Sequence, residues 1–280
     1  MTPRLLVIAG SDSSGGAGIQ ADLKTAQAFG VYCQTAITAV TVQDTRGVQS
    51  VNPVAADIVR AQIEAALGDI GADAIKIGML GNGEIAAAVA DVLETIDIPL
   101  VLDTVILSSS GAALLDEAGI KVLKKRLMPR AALVTPNFPE CELLTAMEPR
   151  SEHRIRNCAM VFKMLGVDNV LFKGGHASRP LRPSHLIGAT ATSPADAGEG
   201  DGDMLRDTLW TGGEFIPFDA PRQDTSSTHG TGCTLATAIA CGLAQGRSLR
   251  DSVSRAHTYV QNAIKTAPGL GGGSGPLNHG

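Results

Sequence analysis

Short aliphatic runs recur along the chain, each followed by a stretch whose apolar residues return every three to four positions. Leu5-Leu6-Val7-Ile8-Ala9 has no polar member and reads as a strand buried on both faces. Residues 17–29 carry a helical period, and Gly30 stops it. The alternation continues with strands at 36–42, 74–77, 100–102, 131–134 and 170–172 and helices at 55–67 and 84–95. Two helices, 230–244 and 248–267, close the pattern. Strand–helix alternation of this kind predicts an α/β protein with a mostly parallel sheet covered by helices on both faces. Residues 205–210 and 214–218 read as a hairpin.

Two stretches break the period. Residues 177–207 are rich in Pro, Gly, Ser, Asp and Ala, and they read as a flexible loop or lid. Residues 269–280 are Gly-rich and read as a loose tail. Neither splits the chain, so residues 1–280 are expected to form one domain.

Composition narrows the class. Of the 280 residues, 44% are hydrophobic but only 3% aromatic, so the core must be Ala, Val, Ile and Leu. The net charge of −5 comes with no Lys/Arg cluster, which argues against nucleic-acid and anionic-membrane partners. Five cysteines without CxxC spacing fit neither a disulfide framework nor a zinc site, and a reducing cytoplasm is expected. The apolar run at 5–9 is too short for a signal peptide, and nothing reaches transmembrane length.

Candidate chemistry follows the strands. Gly10-Ser11-Asp12-Ser13-Ser14-Gly15-Gly16-Ala17-Gly18 links the first strand to a helix and can bring backbone amides to a ligand. It is not a P-loop, because Gly16-Ala17 stands where Lys-Ser/Thr is required. Thr228-His229-Gly230-Thr231-Gly232-Cys233 opens an apolar helix. Its glycines free the backbone to wrap an anion, and the helix N-terminus adds about half a positive charge. A thiol in that first turn is expected to have a lowered pKa. Alternatively, Thr231 simply caps the helix over a buried Cys233.

Thr135-Pro136-Asn137-Phe138-Pro139-Glu140 sits at another strand's carboxyl end. Asn137 and Glu140 there read either as oxygen ligands for Mg²⁺ or as a capping pair that starts a helix. Lys173-Gly174-Gly175-His176 places a cation after a further strand, and Asp103 a carboxylate after another. Gly10, Gln43, Asp103, Asn137 and Lys173 are thus expected on one edge of the sheet, where open α/β folds bind ligands.

Taken together these segments resemble the hydroxymethylpyrimidine/phosphomethylpyrimidine kinases of thiamine biosynthesis, within the ribokinase-like superfamily. The resemblance spans nearly the whole chain. It also rests on Gln43-Asp44-Thr45-Arg46-Gly47-Val48, Lys76-Ile77-Gly78-Met79-Leu80 and Leu102-Asp103-Thr104-Val105. It implies a three-layer α/β/α sandwich and two successive phosphorylations with ATP and Mg²⁺. The first acceptor is a hydroxymethylpyrimidine alcohol, and the second is its monophosphate. Gly10, Asp22, Gln43 and Met79 would line the pyrimidine pocket. Lys173 and the turn Gly230, Thr231, Gly232 and Cys233 would hold and transfer the phosphoryl group. Asn137, Asp224 and Thr225 would join Lys173 at the nucleotide, and Asp103 and Glu140 would organise the metal. Sugar kinases of the superfamily carry Asp where this chain has Cys233, and the pyrimidine kinases carry Cys. Ser13 departs from the Pro of many relatives. The family suggests a homodimer. Pyridoxal/pyridoxine kinase is the nearest alternative, followed by a non-catalytic pyrimidine sensor. A thiol hydrolase built on Cys233 and His229 lacks an evident orienting partner.

Overall fold

A computed structural model of the protein describes residues 1–108, 111–174 and 204–280. Its strands and helices run β1 Arg4–Asp12, α1 Gly18–Ala28, β2 Tyr32–Asp44, β3 Gly47–Pro53, α2 Ala56–Asp69, β4 Ala74–Ile77, α3 Gly83–Leu93 and β5 Leu100–Leu102. They continue with α4 Glu117–Val122, β6 Leu133–Val134, α5 Phe138–Thr145, α6 Glu152–Met164, β7 Asn169–Phe172, β8 Met204–Thr211, β9 Glu214–Pro221, α7 Thr231–Ala244 and α8 Leu249–Lys265.

The strands form one sheet in the order β3-β2-β1-β4-β5-β6-β7-β8-β9. From β2 to β7 the pairing is parallel, while β3 at one side and β8 and β9 at the other are antiparallel. Alternation along β1 explains the layers. Leu6 and Ile8 pack into one core with α2, α3, α5 and α6, and Leu5, Val7 and Ala9 into a second with α1, α7 and α8. All five side chains are fully buried. Each such Leu, Ile or Val contributes about 1.5–3 kcal/mol.

Local signals set the helix ends. Asn82, Asp116, Ser151 and Ser248 each cap a helix through the side-chain oxygen. Gly30, at φ +67, turns the chain out of α1 as its position predicts.

Two expectations are corrected. Residues 204–207, assigned above to a flexible segment, are the start of β8, which pairs with β9 over its whole length. The rest of that segment, and Gly175 and His176 before it, lie outside the described residues. The Gly-rich tail is also tied down. Leu277 and His279 are buried, Asn278 N donates to Ala263 O, and the Tyr259 hydroxyl donates to His279 O. Earlier in the tail, Gly273 N donates to Thr45 Oγ1 and Ser274 N to Thr45 O, while Gly275 O accepts from His229 N.

Candidate active site

The carboxyl ends of the parallel strands converge where the strand order reverses beside β1, the crevice in which open α/β sheets bind ligands. Two turns meet there. Gly230, at φ +82, precedes α7, and a Cβ on it would run into the carbonyl oxygen of Gly16. Only glycine admits both the left-handed backbone and this contact. The Thr231 hydroxyl donates to Thr228 O at 2.7 Å, and Thr231 and Gly232 form the first turn of α7.

Gly232 brings this turn to a charged cluster. A Cβ on it would lie 3.4 Å from Lys173 Nζ and 3.7 Å from Asp103 Oδ2. Lys173 Nζ donates to Asp103 Oδ1 at 2.8 Å, and the Thr135 hydroxyl donates to the same oxygen at 2.9 Å. Burial would raise the Asp103 pKa, but Lys173 and Lys76 outweigh it and hold the carboxyl below its ordinary value. Asp103 and Glu140 likewise raise Lys173 against the effect of burial.

The capping-pair reading of Asn137 and Glu140 is the one the structure shows. Glu140 Oε2 accepts from Asn137 N at 2.9 Å while Asn137 Oδ1 accepts from Glu140 N, a capping box that starts α5. The same Oε2 accepts from the Thr104 hydroxyl at 3.0 Å. Burial pushes the carboxyl up to about 7, Lys173 pulls it down, and Asp103 raises it further. Among the described residues no three His, Cys, Asp or Glu side chains converge as a metal cage. Two buried carboxylates suit a hard divalent cation that keeps waters and takes its other ligands from phosphate.

Cys233 does not follow the expectation for a helix N-terminus. Burial pushes its thiol up to about 11; Lys76 and the Gly18 amide lower it, but Asp22 and Asp103 raise it. The thiol is therefore protonated at neutral pH. Beneath it lies an ion pair that sequence reasoning missed. Lys76 Nζ donates to both oxygens of Asp22 at 2.9 and 3.0 Å, and neither side chain reaches solvent. Thr237, one turn beyond Cys233, donates its hydroxyl to Asp22 Oδ1 at 2.6 Å. Burial holds the Asp22 pKa above its ordinary value. For Lys76 burial is outweighed, and Asp22, Cys233 and Asp103 raise its pKa. Asp22, which the resemblance puts at the pyrimidine pocket, is fully buried in this ion pair. The signal was a lone lysine in the apolar run Ala74-Ile75-Lys76-Ile77 and a lone aspartate on the buried face of α1.

Of the other pocket candidates, Gly10 and Met79 come together. A Cβ on Gly10 would lie 3.1 Å from Met79 Sδ, and Met79 packs on Ala39 and Leu114. The Thr38 hydroxyl fixes Met79 by donating to its carbonyl at 2.6 Å. Gln43 is held beside the Gly-rich loop, where its backbone N–H donates to the Ser13 hydroxyl oxygen at 2.9 Å and its carbonyl accepts from that hydroxyl at 2.7 Å. Asp224 and Thr225 sit apart on an exposed stretch, lining a cleft with Lys265 and Ala267. His229 has the orienting partner that the sequence does not reveal. Its Nε2 lies 2.8 Å from Asp12 Oδ2 and 3.2 Å from Gln43 Nε2.

Comparison with known proteins agrees with this geometry. The chain is 43% identical over 276 residues to the thiamine biosynthesis bifunctional protein ThiED of Geobacter sulfurreducens. That match covers 98% of this chain and 52% of the relative, so the chain spans about half of that protein's length. It is 41% identical over 278 residues to the hydroxymethylpyrimidine/phosphomethylpyrimidine kinase of Streptomyces coelicolor, covering 99% of this chain and 94% of that one. The pyridoxal kinase of Staphylococcus aureus, solved with AMP-PCP and pyridoxal, superposes with a TM-score of 0.84 at 32% identity. There the match covers 100% of this chain and 94% of the other. The family model described as phosphomethylpyrimidine kinase matches residues 12–278, and the chain belongs to that family.

Proposed function

We propose that the protein transfers the terminal phosphoryl group of ATP to the hydroxyl of 4-amino-5-hydroxymethyl-2-methylpyrimidine and then to the resulting monophosphate, in thiamine biosynthesis. The observation that carries this reading is the meeting of the Gly230-Thr231-Gly232 turn with Lys173, Asp103 and Glu140 at one point of the sheet edge. Phosphoryl transfer needs little covalent help from a protein; positioning and charge stabilisation dominate. The amides at the start of α7 point toward the anion, and Lys173 adds a fixed cation beside them. Asp103 and Glu140 would hold Mg²⁺, which neutralises phosphate charge when bound. Asn137, Asp224 and Thr225 remain candidates for the nucleotide.

In the first transfer the acceptor hydroxyl must lose a proton as its oxygen attacks. Cys233, at the start of α7, is the candidate for that step; because burial keeps its thiol protonated, it would have to act through its minor thiolate form. In the second transfer the acceptor is an ionised phosphate oxygen and needs little base. Gly10, Met79 and Gln43 form the wall for the ring, and Asp22 supports it from the core. A homodimer in the cytoplasm fits this reading. Among the described residues no helix is long and apolar enough to cross a membrane.

Pyridoxal is the second reading, favoured by the fold shared with the S. aureus pyridoxal kinase. A coupled ADP-release assay with the pyrimidine alcohol, its monophosphate and pyridoxal in parallel decides. The proposal expects turnover on both pyrimidines with higher kcat/KM than on pyridoxal. Turnover on pyridoxal alone refutes it, and no ADP release from any acceptor supports a pyrimidine sensor.

A further inference from the structure

Lys173 stands just past the end of β7, and the backbone there is held from both sides. On one side its N–H donates to Pro136 O at 3.0 Å, and it forms a parallel bridge with Asn137. That contact ties it to the turn whose capping box presents Glu140. On the other side lies β8. The antiparallel pairing runs from Asn169 opposite Thr211 to Phe172 opposite Thr208. One further step would set Lys173 against Asp207 and Gly174 against Arg206. The ladder stops before that step, although β8 itself extends to Met204.

A side chain takes over where the ladder ends. Gly174 N donates to Asp207 Oδ1 at 2.8 Å. A Cβ on Gly174 would run into the carbonyl oxygen of Arg206, so only glycine lets the chain pass this close to β8. Burial pushes the Asp207 carboxyl up, and the Gly174 amide, His257 and Lys173 act against it. A carboxyl oxygen accepts the Gly174 bond in either protonation state, so the position needs an acceptor rather than a charge. From this pinned backbone the Lys173 side chain reaches Asp103 Oδ1 at 2.8 Å, and its Nζ lies against Gly232 in the first turn of α7.

We propose that Asp207 is a positioning residue for phosphoryl transfer: by accepting the Gly174 N–H it fixes where the chain leaves β7, and so holds the Lys173 ammonium between Asp103 and the start of α7. This rests on the kinase reading and deepens it. A side chain on the antiparallel hairpin β8–β9, outside the parallel strand ends, sets the charge geometry of the site. Lys173 serves the phosphoryl group, which both transfers share, so loss of Asp207 should slow both acceptors alike.

The test measures kcat and acceptor KM of the full chain with the pyrimidine alcohol and with its monophosphate. Asp207→Ala should lower kcat on both by the same factor, roughly ten- to a hundredfold, the effect of a misplacement of about 1 Å. Each acceptor KM should stay within about twofold, because the loss falls on the transfer and not on ring binding. Asp207→Asn keeps an acceptor for Gly174 and should return kcat to within about threefold of the unaltered enzyme. Asp207→Val suits a strand but lacks the acceptor, and it should match Asp207→Ala, which guards against a variant that fails to fold. Lys173→Met removes the ammonium that Asp207 positions. In that background Asp207→Ala should slow single-turnover transfer by less than about threefold more, whereas independent effects multiply. A merely structural Asp207 would lower Tm and leave kcat of the folded Asp207→Val variant near that of the parent, and this result overturns the proposal. So does Asp207→Asn as slow as Asp207→Ala, a loss confined to one acceptor, or full multiplication of the two losses with Lys173→Met. The kinase reading stands or falls separately, on ADP release by the unaltered enzyme.

Discussion

Replacing Lys76 by Met isolates the buried charge pair beneath α7. The side chain keeps its length and loses its ammonium, so Asp22 is left in the core with the Thr237 hydroxyl as its remaining partner. Removing one member of a fully buried pair costs about 3–5 kcal/mol, because the other charge stays desolvated. Whole domains are stable by only about 5–15 kcal/mol. At about 2–4 °C per kcal/mol in large domains, Tm should fall by roughly 6–20 °C. The loss should also depend on pH. The Asp22 carboxyl lies above its ordinary value in the fold, and without Lys76 it rises further. A group raised on folding contributes stability that is complete below its unfolded pKa and lost as pH rises through the folded one. The deficit of Lys76→Met should therefore narrow from pH 8 to pH 5, as Asp22 takes a proton. Adding Asp22→Asn removes the orphaned charge while keeping a partner for Thr237, and it should recover at least half of the loss at pH 8. Urea unfolding of the single and double variants at both pH values provides the numbers. A Lys76→Met variant within about 1 kcal/mol of the parent at pH 8, or a double variant no more stable than the single, would refute the reasoning.

Cys233→Ala should lower kcat of the first phosphorylation by roughly ten- to a hundredfold and leave the second within about threefold, since only the first needs a proton acceptor; an unchanged first step in single-turnover assays removes Cys233 from the chemistry. Glu140 titrates at about 7, so apparent Mg²⁺ affinity, followed by activity against metal concentration, should weaken as pH falls through that value, and Glu140→Gln should abolish the dependence. Gly230→Ala places a Cβ against Gly16 in a left-handed backbone; the backbone strain alone is about 1–2 kcal/mol, and kcat/KM should fall at least tenfold with a lowered Tm.

The parallel strands β1 and β5 were legible because burial on both faces writes itself as an unbroken aliphatic run, and β4 as a run interrupted only by Lys76. The edge strand β3, Gly-Val-Gln-Ser-Val-Asn-Pro, has no such run, since its residues are half-exposed or exposed and its partner is only β2. The helix α6 was missed for a similar reason: its buried residues are three, Cys158, Ala159 and Phe162, amid charged neighbours. The site was legible as a set of strand ends, for Asp103, Asn137 and Lys173 each follow their strands as expected. What the sequence hides is partnership across distance. Lys76 and Asp22 are 54 positions apart, and His229 and Asp12 are 217 apart. No local pattern marks either pair. The same remoteness explains Cys233, whose helix-terminus position lowers a thiol pKa by a local rule that its burial, and after it the carboxylates of Asp22 and Asp103, override. In the tail, glycine was read as looseness, yet a Cβ on Gly273 would run into Thr45, so its absence is what permits close docking.

That docking has a consequence for the order of assembly during synthesis. Thr45 and Gly273 are 228 positions apart. At about 5–20 residues per second, the loop that follows Gln43 emerges roughly 10–50 s before its tether exists. Through that interval β2, with exposed Val40 and Val42 near its end, stands beside β3 without the clasp that joins it to the turn before α7. The rim at Gln43 is thus completed only once Gly273 has emerged, and until then the nascent chain carries a strand edge in need of protection.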